Sequence, residues 1–252
     1  MSDIHKKNIV SIGDPKKRFS EDPVRCLRAI RFSNKLDFKI DGKIKDAIYE
    51  KGHLLSSISN ARLFDEFCKI FLNGMAEKNF KKLTSFGLNK YLVSTNPEKN
   101  EFTSRVIIEA LRNTDKRLIN SQSVTPGFLV AALLWPELLE QSLTKGEINL
   151  RKFFRSMDQV LKRQQRITAI PRKFHSYIKD IWVLQLKLHS RIGKQPYKTL
   201  KHPRFRAAYD FMLIREKASS EIKGLGKWWT DFQRNDDNLK KSLINNLKEK
   251  DT

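Results

Sequence analysis

Residues 12–32 read IGDPKKRFSEDPVRCLRAIRF. Pro23 suits the first turn of a helix, Asp22 or Ser20 can cap it, and Val24, Leu27 and Ile30 recur at three-residue steps along one side. The spacing predicts a helix running to about Lys35. The same rhythm continues outward from this stretch. A second strong helix starts near Asn60, turns Leu63, Phe67, Ile70 and Phe71 inward, and ends at Asn73-Gly74, a pair suited to a left-handed cap. Further helices are expected over about 43–51, 76–86, 101–119, 126–141, 149–168, 171–191, 203–221 and 238–248. Period-two alternation is nearly absent and no repeat of fixed period is present. The expected fold class is therefore all-α, an irregular multi-helix array.

The composition of the 252 residues bounds the function. Hydrophobic residues make up 39% and charged residues 31%, enough for buried cores under a large wetted surface. Fifty Lys and Arg stand against 28 Asp and Glu, for a net charge of +22. Such a surplus repels itself in a compact state and points to a polyanionic partner. The longest apolar run, residues 128–135, is far short of the roughly 18 residues that span a bilayer, and the N-terminus lacks a secretory apolar core. A cytoplasmic protein with no membrane partner is expected. Cys26 and Cys68 sit in helical apolar surroundings and read as reduced thiols, and the five histidines lack metal-site spacing. No metal ligand is assigned.

The division of the chain is also suggested by composition. A shift near 143–149 separates a first domain, 1–145, from a more basic one, 146–252. The tail after Arg234 is polar and Lys-Asn-rich, and its last residues are expected to fray.

Within the opening stretch, Asp22 and Arg25 are three apart, which places an acceptor and a forked donor on one side of the first helical turn. A carboxylate accepts from the exocyclic amino group of adenine or cytosine, and a guanidinium donates to the neighbouring ring nitrogen. Guanine and uracil present the opposite edge and would leave buried polar groups unpaired. The pair can therefore admit A and C while rejecting G and U, without separating A from C. Arg28 and Arg31 continue around an arc of about 120° and are placed to meet a triphosphate. The same residues are equally compatible with acidic residues favouring a helix start beside a salt-bridged face.

This stretch resembles the neck of the class II tRNA nucleotidyltransferase and poly(A) polymerase family, whose E-D-x-x-R run selects the nucleotide. The resemblance implies Glu21, Asp22 and Arg25 as its members here, with Arg28 nearby. Residues 58–66, ISNARLFDE, resemble the following family motif, and imply that Arg62 and Glu66 buttress the first helix through ion pairs or hydrogen bonds. Residues 170–188, 200–215 and 227–233 resemble the C-terminal domain of the bacterial poly(A) polymerases, and the likeness runs from about 3 to 233. It implies a neck, body and helical C-terminal domain, and addition of AMP from ATP to RNA 3′ ends. CCA addition to tRNA, or a non-enzymatic RNA-binding remnant, are the alternative functions.

No acidic residue occurs between Asp180 and Asp210, whereas Lys187, Arg191, Lys194, Lys198, Lys201, Arg204 and Arg206 all fall there and are expected to contact RNA. Arg163, Arg166, Arg172 and Lys173 can extend the patch. Interleaved Trp182, Tyr197, Phe205 and Tyr209 can offer stacking platforms, although their spacing also suits buried helix faces.

Family members carry an N-terminal head with a Gly-rich turn and a D-x-D pair that binds magnesium. Neither Gly-Gly, Gly-Ser nor D-x-D occurs in these 252 residues. The expectation is a chain that has no catalytic residue of its own and binds no cofactor alone. Nucleotidyl transfer would depend on a catalytic head that holds Mg2+ and acts on ATP, and three explanations stay open: the sequence is a piece of a longer protein, a separate gene supplies the head, or the chain is a remnant that keeps RNA binding.

Overall fold

The computed structural model describes residues 5–248. Among these, thirteen α-helices and two minimal strand pairs account for the regular structure, an all-α array. By packing, the chain forms two compact units. One gathers 1–96, 111–126 and 137–171, and the other 97–110, 127–136 and 172–252.

The first unit opens with β1 (Asn8–Ile9), α1 (Pro15–Glu21), α2 (Val24–Leu36), β2 (Lys39–Ile40) and α3 (Gly42–Lys51). It continues through α4 (Asn60–Phe71) and α5 (Ala76–Ser85). β1 and β2 pair in parallel, Asn8 opposite Lys39 and Ile9 opposite Ile40. α2 ends where Asp37 takes a left-handed conformation, φ 53°, with the Asp37 and Phe38 N–H groups donating back to Asn34 and Ser33 carbonyls. Val24, Leu27 and Ile30 are buried as the spacing requires. On α4, Leu63, Phe67, Ile70 and Phe71 are buried, with the Phe67 and Phe71 rings edge-on at 5.0 Å. The helix is capped at Leu72, whose N–H donates to the Cys68 carbonyl, and Gly74, expected within a left-handed cap, lies two residues further on at φ +83°.

Polar groups lock these helices together. Buried Asn79 donates to the Ile70 carbonyl at 2.7 Å and accepts from Asn34 at 2.8 Å, so one amide ties α5 to both α4 and α2. The start of α5 is capped by Asp115, whose carboxylate accepts from the Ala76 and Glu77 N–H groups.

α6 (Glu101–Ile119) and α7 (Pro126–Ser142) each contribute residues to both units. After α7 the chain forms a hairpin, β3 (Leu143–Thr144) against β4 (Glu147–Ile148), turning through Lys145 and Gly146 with φ of 53° and 85°. Two successive positive φ values are those of the two-residue turn that matches strand twist. α8 (Leu150–Gln165) is then capped by Asn149.

The second unit comprises α9 (Lys173–Lys187), α10 (Gln195–Leu200), α11 (Phe205–Ala218), α12 (Leu225–Arg234) and α13 (Asp237–Lys248), together with the segments of α6 and α7 noted above. Its core holds Leu188, Phe205, Tyr209, Met212, Trp229 and Phe232. Trp182 and Trp229 donate their indole N–H groups to the Ala131 and Leu188 carbonyls, each at 2.9 Å. α12 approaches α11 so closely at Gly226 that a Cβ there would lie 2.5 Å from a Leu213 methyl carbon.

The sequence reading is corrected at several points. α1, α10 and α12 are not among the expected helices, nor are the two strand pairs. Ser20 does not cap α2, because its hydroxyl bonds back to the Lys16 carbonyl within α1. Trp182, Phe205 and Tyr209 are buried and cannot stack on bases; only Tyr197 is partly exposed. The tail expected to fray lies in part outside the described residues. No described helix is long and apolar enough to cross a membrane.

Candidate nucleic-acid interface

The neck site is made by a proline. Pro23 forces the residue before it out of helical conformation, so α1 stops at Glu21 and Asp22 stands extended in the break, φ −146° and ψ 92°. From there the Asp22 carboxylate accepts from the Val24 N–H at 3.3 Å and helps begin α2. Asp22 thus closes α1 through its backbone N–H, which donates to the Arg18 carbonyl, while its side chain helps start α2 and still projects a charged oxygen.

Arg25, the second residue of α2, lies beside it. Its Nε is 4.0 Å from Asp22 Oδ2, and the two side chains are 30% and 17% exposed, neither fully wet nor sealed. Arg25 Nη1 donates to Glu21 at 3.2 Å and to the Arg18 carbonyl at 2.7 Å, which fixes the fork. Among the described residues Nη2 carries no bond. The acceptor and donor that the spacing places on one side of the helix are therefore adjacent in space.

Arg62 reaches this pair from α4, donating from Nη2 to both Asp22 oxygens at 2.8 and 2.9 Å. Glu66, one turn further along α4, is 1% exposed; its Oε1 lies 3.6 Å from Arg28 Nη2 and accepts from Lys69 at 2.9 Å. Arg62 and Glu66 thus each contact α2 or the residue that starts it. Arg31 covers the Phe32 ring at 4.4 Å.

In the second unit, the basic segment divides. Lys194, Lys198 and Lys201 line a cavity of about 710 Å3 together with Tyr197, Ile244 and Lys241, the last supplied by α13. Four lysines and one carboxylate, Asp237, stand around it beside the apolar Tyr197 and Ile244. Lys187, Arg191, Arg204 and Arg206 lie outside that wall. Arg191 sits over Trp228 and Arg204 over Tyr177, at 5.6 and 4.9 Å. Arg206 bonds to Asp210 at 3.1 Å, so part of its charge is already answered. Arg163, expected to extend the patch, pairs with buried Glu137 within the first unit.

Among the described residues no three His, Cys, Asp or Glu side chains come together. The groups present do not fit a divalent cation, and no step through one is assigned to them.

With this geometry in place, two family descriptions match. Residues 37–101 match "Probable RNA and SrmB-binding site of polymerase A", and 145–252 match "Polymerase A arginine-rich C-terminus". Poly(A) polymerase I of Escherichia coli O6:H1 is 36% identical over 260 residues, covering 99% of this chain and 56% of that protein. A CCA-adding enzyme of Pediococcus pentosaceus is 41% identical over 91 residues, 36% of this chain and 23% of the enzyme. A solved structure described as a tRNA-processing enzyme, in apo form, superposes with a TM-score of 0.62 at 17% identity, over 97% of this chain and 66% of that one, a likeness of fold. The chain spans about half the length of the poly(A) polymerases it matches. The two family matches, over 37–101 and 145–252, and the 36% identity along 99% of this chain place it in the bacterial poly(A) polymerase family.

Proposed function

We propose that this chain selects the incoming nucleotide and holds the RNA in transfer of AMP from ATP to RNA 3′ ends, within mRNA 3′-end processing and decay. The observation that carries the reading is the Asp22–Arg25 pair, poised at 4.0 Å and held from behind by Arg62. Asp22 Oδ2 retains a lone pair for the exocyclic amino group of adenine, and Arg25 Nη2 can donate to the adjacent ring nitrogen. Arg28 is placed one turn along the same helix for the phosphates, and the lysine-lined cavity of the second unit for the RNA backbone. The nucleotidyl transfer itself is assigned to a catalytic head carrying the magnesium site.

The test is primer extension by the chain alone and with a separately expressed family head, offering each nucleoside triphosphate in turn. The expected result is no extension alone and ATP-dependent extension on mixing. Asp22→Ala with Arg25→Ala should abolish the preference for ATP over GTP and leave RNA binding. Retention of that preference in the double variant would remove the templating role and leave an RNA-binding module.

CCA addition is the second reading, supported by the 41% identity over 91 residues to a CCA-adding enzyme and by a template that accepts cytosine equally. Incorporation of CMP on a tRNA lacking its terminus, at a rate matching AMP on oligo(A), would favour it.

A further inference from the structure

A second cavity, of about 570 Å3, lies in the first unit between the start of α3, the end of α5 and the β1–β2 pair. None of its lining residues belongs to the neck motif. Its wall includes Lys39, Lys45, Lys82, Tyr49, Phe86 and Asp41. The volume is within the roughly 300–1,000 Å3 of small-ligand pockets.

Two features here lack an explanation from folding. Tyr49 is 65% exposed although its neighbours Ala47 and Ile48 on α3 are buried, and its ring leans on Phe86 at 5.1 Å with a 47° tilt. An aromatic ring backed by a second ring and otherwise left in water is a stacking platform. Lys82 is half-buried, yet its ammonium donates only to the Ser33 hydroxyl, at 2.8 Å, and makes no ion pair among the described residues. An ammonium has three donors, and burial with one neutral partner is unfavourable unless an anion completes the set. Desolvation holds its pKa below the ordinary lysine value, with Lys45 and Lys78 acting in the same direction and Asp37 opposing them. Lys39 and Lys45 bring two further cations to the wall. Asp41 is the one carboxylate of the wall, and its Oδ1 is engaged by the Lys43 N–H at 2.9 Å as the cap of α3.

We propose that this cavity is a single-strand RNA subsite, in which one unpaired base stacks on Tyr49 and the adjoining phosphate is held by Lys82 and Lys45. The inference deepens the RNA-holding reading above and rests on it. The cavity lies almost wholly within residues 37–101, the stretch matched to a probable RNA-binding site, and the inference adds which side chains there meet the base and the phosphate. Stacking on a ring is indifferent to base identity, and this subsite therefore contributes affinity without sequence choice.

The experiment is fluorescence anisotropy of labelled oligo(A) with the wild-type chain, Tyr49→Ala, Tyr49→Phe, Lys82→Met and, as a control in the second unit, Lys198→Glu, each over a range of salt. Tyr49→Ala is expected to weaken binding about 5- to 150-fold, the effect of removing one base stack, with an unchanged salt slope. Tyr49→Phe should bind as the wild type. Lys82→Met should weaken binding and flatten the log–log salt slope by about 0.7, the increment for one phosphate on a single strand. Thermal melts of Tyr49→Ala within a few degrees of the wild type would show that the fold is kept, as its exposed ring allows. If Tyr49→Ala and Lys82→Met bind like the wild type while Lys198→Glu is weakened, the subsite is refuted and the RNA reading stands. A wild-type chain with no affinity for oligo(A) at low salt would overturn both.

Discussion

Arg62 grips the Asp22 carboxylate through both oxygens, at 2.8 and 2.9 Å, from forty positions further along the chain. The bond joins α4 to the break before α2, so the residue that would read the base is oriented by a helix that does not read it. Arg62 is half in water, and the pair is accordingly worth only about 0–1 kcal/mol of stability. Its value lies in position. Arg62→Ala is expected to leave the melting temperature nearly unchanged and to lower the ATP-over-GTP preference of the reconstituted reaction about 10-fold. Arg62→Lys keeps the charge, and because a single nitrogen, Nη2, makes both bonds, it should restore most of the preference where the shorter ammonium arm reaches. Equal loss of rate with ATP and GTP would show a general folding defect instead.

Glu66 makes the opposite prediction. Its side chain is 1% exposed, Oε2 has no hydrogen-bond partner, and Oε1 is shared by Arg28 and Lys69, both of which reach solvent. Burying a carboxylate that is only half satisfied is costly, and removing it strands no buried cation. Glu66→Met should therefore melt at or above the wild-type temperature while freeing Arg28 and weakening ATP use. A loss of stability of about 3 kcal/mol, as for a broken buried pair, would contradict this account.

How legible these relationships are in the sequence depends on their range. Asp22 and Arg25 are readable because three residues of chain fix their separation; family likeness implies only that Arg62 buttresses the first helix, and its contact with Asp22 emerges from the fold, since no local rule joins positions forty apart. Long helices declare themselves, α6 through a sustained apolar period and α7 through a continuous apolar run, whereas α1, α10 and α12 are short and have Pro15, Pro196 and Gly226 in their first turns, residues that on a short stretch read equally as loop. The buried Trp182 and the exposed Tyr49 both sit on amphipathic helices, and only tertiary packing decides which ring meets water. Lys241 joins the α10 lysines for the same reason: only the fold brings α10 and α13 to one cavity.

The thiols give a pH test. Burial pushes the Cys26 pKa up to about 12 and that of Cys68 up to about 11, against roughly 8.5 in an unfolded chain. The folded state therefore holds these protons more tightly than the unfolded one. Their contribution is fully present below about pH 8.5 and is lost as pH rises toward 11–12. Iodoacetamide should label neither thiol at pH 8 until denaturant is added, and the melting temperature should fall above pH 9. Replacing both cysteines with alanine should flatten that fall; rapid native labelling of Cys26 would show the site to be open.

The basic residues of the second unit should not act alike. Lys194, Lys198 and Lys201 share a cavity with Lys241 and have only like charges and Asp237 around them, whereas Arg206 is already bonded to Asp210 at 3.1 Å. A cation that gives up an internal carboxylate to meet phosphate gains less than one that meets phosphate first. Charge reversal of Lys194, Lys198 and Lys201 together should weaken oligo(A) binding and flatten its salt slope, by about 0.7 for each phosphate no longer neutralised. Arg206→Ala should change affinity by less than about threefold and leave the slope in place, because the charge it removes is largely neutralised by Asp210. Lys241→Glu, which the linear sequence gives no reason to group with these lysines, should resemble the single Lys198→Glu variant. If Arg206→Ala instead matched the triple variant, the backbone path would run along α11 and not through the cavity between α10 and α13.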